Sequence, residues 1–270
     1  RFLLISLVLL PVLPDAEMGP LNAFNPFKIW LMVVVIAGIS FCGHFAVRLL
    51  GTRSGLVLTS MLAGLASSTA LTLQFARLNK EQGGLERLLA TGILLAGATM
   101  WLRLLVLVLL IHSELAMRLA APLLLLAATV YGFAFWFWRQ REELPDGPVQ
   151  PQTSNPLDLA TAIKFGLLLA LIGFMATLLQ SKVGNSGVYL LSLVSGITDV
   201  DAITLSLSQL SHKELALEVA ARGILLAGLV NSLVKGLLAL GIGGRRLGLR
   251  VLLPYFVSAL LILPLIWPGT

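Results

Sequence analysis

The chain has 270 residues, 57% of them hydrophobic and 12% charged, and a soluble domain carries about 25% charged residues to cover its apolar surface. A single cysteine, Cys42, excludes an internal disulfide, and a mean hydropathy of +0.94 excludes disorder. The net charge of +6 comes from 19 basic and 13 acidic residues spread between apolar runs, which is how loops facing anionic lipid read, and not a nucleic-acid surface.

What remains is an all-α polytopic membrane protein with eight to nine transmembrane or re-entrant segments. A bilayer core of about 30 Å needs roughly 20 apolar residues per crossing helix. In chain order, residues 1–24 read as a short N-terminal helix and loop, with the apolar run at 2–13 cut close to its start. Eight longer runs follow near 29–50, 55–78, 88–111, 117–138, 159–179, 187–210, 219–241 and 250–267. They are continuous, not alternating, so barrel strands are excluded. The aromatic group Phe133, Phe135, Trp136, Phe137 and Trp138 before Arg139 marks a membrane–water interface, as do Trp30 and Trp267. Residues 139–154 form a polar, proline-rich linker.

The linker divides two copies of one pattern, repeat 1 over 25–138 and repeat 2 over 155–270. Ser54 to Leu78 matches Ser186 to Leu210 at an offset of 132 without a gap. The hexapeptide G-I-L-L-A-G recurs letter for letter at Gly92 and Gly223, an offset of 131. If the second segment of each repeat crosses the membrane, the repeats are parallel. If it is re-entrant, each repeat crosses three times and the repeats are inverted. Ten of fifteen loop bases then share one side, cytoplasmic by the positive-inside rule.

Both copies carry a polar interruption in that second segment. Gly64-Leu65-Ala66-Ser67-Ser68-Thr69 breaks the first and Gly196-Ile197-Thr198-Asp199-Val200-Asp201 the second. Glycine and the short polar side chains compete with helical pairing, and a broken helix at membrane depth is a recurring ion site of transporters. Asp199 and Asp201 are the acids placed within membrane segments, where acids are costly and functional. Thr198, Asp201, Thr204 and Ser208 share a helical face, and Ser67, Ser68, Thr69 and Thr72 supply hydroxyls in the first copy. An alternative stays open: Thr198-x-x-Asp201 also reads as a capping box. Arg103, Lys235 and Asn231 are candidate charge partners, although Lys235 could snorkel to the interface. The histidines have no metal-ligand spacing, so no metal is assigned and no cofactor is expected beyond a bound ion. No nucleophile–base set or phosphate loop occurs, so an enzyme is not expected.

The A-S-S-T-A-L-T-L stretch, the S-G-I-T-D-V-D-A-I-T-L stretch and the R-F-L-L-I-S-L-V-L-L-P-V-L-P start resemble the membrane family known as domain of unknown function 4010. The resemblance implies a multi-pass protein of a bacterial or archaeal inner membrane. It also implies an association with MgtC/SapB-type proteins, whose C-terminal part this family often forms. The function expected is a transporter or channel-like protein for a small ion, a cation in the first reading, with its site at the paired breaks between the repeats. The rival is a non-transporting membrane module that regulates or assembles with a partner such as an MgtC-like domain. Partners are then the lipid bilayer, a small ion, and MgtC-like helices or a second copy of the chain, with no nucleic acid.

Overall fold

A computed structural model describes residues 10–16, 18, 25–31, 33–34, 55–82, 84–140, 159–212 and 215–266. Most of the runs at 2–13 and 29–50, with Cys42 and His44, lie outside the described residues, as do Trp267 and most of the linker. The labelled elements are all helices: α1 Gly55–Gln82, α2 Glu86–Ile111, α3 Ser113–Arg139, α4 Leu159–Val183, α5 Asn185–Thr198, α6 Asp201–Leu210, α7 Leu217–Gly243 and α8 Arg245–Ile266. Four of these, α2, α3, α7 and α8, are long and apolar enough to cross a membrane, which marks the chain as a membrane protein.

Helix ends follow the local chemistry. Glu86 and Glu114 sit in the first turns of α2 and α3, and Arg139 in the last turn of α3, each favoured by the helix dipole. Gly84 before α2 and Gly244 between α7 and α8 adopt positive φ of 74° and 91°, which a side chain disfavours.

The chain forms two compact units. One comprises Arg1–Phe41, Val106–Leu119 and Asn155–Val230; the other comprises Cys42–Leu105, Ala120–Ser154 and Asn231–Thr270. In the second unit, Phe75, Leu89, Ile93, Leu94, Val251 and Tyr255 build a fully covered apolar core. In the first, α4 packs against both α5 and α6.

Neither polar segment is a straight rod. Ser60 and Phe75 both lie against Gly92 of α2. On a straight helix they would stand roughly 22 Å apart, at 1.5 Å per residue. α1 therefore folds back on itself, and the break is at Ser67, with φ −163° and ψ 103°. The same test holds in the other unit, where Val188, Ser192 and Leu207 all lie against Gly223 of α7. α5 and α6 are thus the arms of a second hairpin, meeting at Asp199 and Val200. The segment read as one run at 187–210 is two short helices. Arms of 14 and 10 residues reach roughly 21 and 15 Å, too short to cross a 30 Å core.

Candidate functional site at the hairpin tips

The first tip begins where Gly64 meets α2. A Cβ at Gly64 would lie 2.7 Å from the Ala96 carbonyl oxygen, so only glycine allows the approach. Two residues on, Ser67 turns extended and caps the second arm, its Oγ accepting from the Ala70 N–H at 3.2 Å. Thr72 Oγ1 donates to the Ser68 carbonyl at 2.8 Å. Ser68 and Thr72 are buried, Ser67 is exposed, and Thr69 is half-buried. The extended backbone at Ser67 removes the helical partner of the Leu65 carbonyl, and Arg103 Nη1 from α2 donates to it at 2.8 Å.

The second tip follows the same plan. Gly196 lies on the backbone of Ala227 in α7. Asp199 is extended at φ −151° and ψ 133°, and its Oδ1 accepts from the Asp201 N–H at 2.7 Å. Asp199, one residue before the N-cap position at Val200, therefore supplies the oxygen at the start of α6, and the alternative capping box of Thr198 and Asp201 does not form. Thr198 belongs to the last turn of α5, where its Oγ1 donates to the Ser195 carbonyl at 3.1 Å. The reason is positional: the residue that leaves helical geometry is 199, so the cap role passes to its carboxylate. Thr198 also leaves the face assigned to it, being exposed while Asp201, Thr204 and Ser208 are buried.

Asp201 is 6% exposed and Thr204 is fully buried one turn later on α6. Ser208 Oγ donates to the Thr204 carbonyl at 2.7 Å. The Thr204 Oγ1 has no hydrogen-bond partner among the described residues. That leaves a covered hydroxyl beside a covered carboxylate, a pair of hard oxygen donors.

Lys235 on α7 is fully buried, and its Nζ donates to Met100 Sδ of α2 at 2.8 Å. It does not snorkel, because α7 continues to Gly243 and the lysine stem ends inside the protein. Asn231 is buried one turn earlier. Among the described residues no group of three His, Cys, Asp or Glu side chains is arranged for a metal ion.

Two features escape the sequence reading. His112 and His212 stack with ring centroids 4.1 Å apart, and His212 Nε2 hydrogen-bonds the Ile111 carbonyl at 2.9 Å. Their distance along the chain hides this contact. Ser60 and Ser192, against Gly92 and Gly223, do leave a signal, since they are matched serines at the offset of 132.

Apolar helices of crossing length and two polar helix breaks define an all-helical membrane protein. A family model described as "Domain of unknown function (DUF4010)" matches residues 34–243, and the chain belongs to that family. A protein of Aquifex aeolicus (strain VF5), described as "Uncharacterized protein", is 35% identical over 198 residues, 73% of this chain and 86% of that protein. No solved structure matches the chain.

Proposed function

We propose that this protein is a transporter or channel-like protein for a small cation, and that the α5–α6 tip handles the ion. The observation that carries the reading is the buried Asp201 one turn from Thr204, whose hydroxyl has no partner among the described residues, at a break in a hairpin too short to cross the bilayer. Removing a carboxylate from water costs several kcal/mol, and a membrane protein retains such a group where it serves an ion or a proton. Hard oxygen donors suit Na⁺, Mg²⁺ or a proton over soft metals.

The proposal includes two inverted repeats, 25–138 and 155–270, with three crossings and one re-entrant hairpin each. Helix starts support it: Glu86 and Leu217 differ by 131, and Ser113 and Arg245 by 132. Pro122 of α3 and Pro254 of α8 also differ by 132. So do the two extended residues, Ser67 and Asp199. Contacts at the helix ends support inversion in particular. Asn79 Nδ2 donates to the Gly243 carbonyl at 2.7 Å, so the ends of α1 and α7 share a level. The ends of α6 and α2 meet likewise through His212 and Ile111.

The test is flux in proteoliposomes across a panel of cations, protons and anions. Wild type is expected to move a cation or proton, and Asp201→Asn to abolish that flux while the protein still inserts and folds. If Asp201→Asn transports like wild type and only melts earlier, Asp201 has a structural role and the reading fails. Flux confined to anions overturns the ion sign, and flux of nothing on the panel favours the non-transporting module.

A further inference from the structure

We propose that the first hairpin tip is a cation seat filled by the chain's own guanidinium, that of Arg103, a positioning residue. The seat exists because Ser67 is extended. The arm ending before it behaves as a helix C-terminus, with carbonyls that have lost their amide partners and the negative end of the helix dipole. Arg103 reaches this end from α2 and donates to the Leu65 carbonyl at 2.8 Å. The arginine is only 7% exposed, so the contact forms away from bulk water, where a charge-assisted bond to a carbonyl is strong. A guanidinium offers five donors in one plane, more than a lysine ammonium, and stays charged at any physiological pH.

The matched tip is equipped differently. An offset of 131 carries Arg103 onto Val234, next to Lys235, whose Nζ donates to Met100 Sδ, so no guanidinium stands at the matched position, and an offset of 132 carries Ser67 and Thr69 onto Asp199 and Asp201. One tip therefore brings its own cation and the other brings carboxylates. The first tip is thus permanently occupied by the chain's own guanidinium. The claim about the first tip stands whether or not the protein transports anything.

The test uses the full chain purified in detergent, with thermal unfolding as the readout. Arg103→Ala and the milder Arg103→Gln are expected to lower the Tm. Low-millimolar guanidinium or methylguanidinium is expected to restore most of that loss saturably, as a ligand that binds the native state does. Urea, Na⁺ and K⁺ at the same concentration should restore little, and wild type should not respond to any of them. A rescue specific to guanidinium is not what a merely structural arginine predicts. An unchanged Tm in both variants overturns the proposal. So does a guanidinium response equal in wild type and variants, or failure to recover either variant with guanidinium present throughout.

Discussion

Gly64 and Gly196 are where single atoms decide the fold of the tips. A Cβ at either would meet the backbone of α2 or α7, at Ala96 and Ala227, and backbone cannot swing aside as a side chain can. At Gly223 the nearest atom to an added Cβ is the far end of Leu207, which can give way. Gly64→Ala and Gly196→Ala are each expected to destabilise by about 1–3 kcal/mol, the usual range for overpacking, and Gly223→Ala by less. Thermal unfolding of the three variants in one detergent ranks them, and a Gly223→Ala loss as large as the others would refute the account. The glycines and the Ser, Thr and Asp clusters were legible in the sequence as interruptions. Which residue caps was not. Thr198 and Asp199 both carry capping oxygens, and the choice depends on where the chain leaves the helix, which is at Asp199.

Continuous apolar runs located five helices: α2, α3, α4, α7 and α8 start within about five residues of the runs read from hydropathy. They could not separate a crossing segment from a hairpin, because both are apolar and of similar total length. Only contacts between distant residues decide that, such as Ser192 and Leu207 meeting at one glycine. Cysteine pairs test the geometry on a background with Cys42→Ser. Ser192→Cys with Gly223→Cys, and separately Leu207→Cys with Gly223→Cys, are both expected to oxidise to intramolecular disulfides, since the Cβ position at Gly223 lies 2.9 Å from Ser192 Oγ and 2.7 Å from Leu207 Cδ1. A straight α5–α6 rod would bring no more than one of these pairs together. Detecting a single cross-link by non-reducing mass analysis would therefore refute the hairpin.

At the scale of the whole chain, the proposed repeats fix which loops share a membrane side. Charge counting alone left parallel and inverted threading open, because shifting two bases between sides erases the preference. The ends of α1 and α7 add a steric constraint, since Asn79 cannot donate to the Gly243 carbonyl from the opposite membrane face. With three crossings per repeat, Lys80 and Arg246 fall on one side, together with Arg139. With four crossings they fall on opposite sides. Both are exposed at helix ends, so a cysteine at either can meet a reagent without disturbing the core. Lys80→Cys and Arg246→Cys, each in the Cys42→Ser background, are expected to react with a membrane-impermeant maleimide from the same face. The positive-inside rule makes that face cytoplasmic, with Lys182→Cys and Arg222→Cys reacting from the other. Labelling of Lys80→Cys and Arg246→Cys from opposite faces would return the chain to parallel repeats.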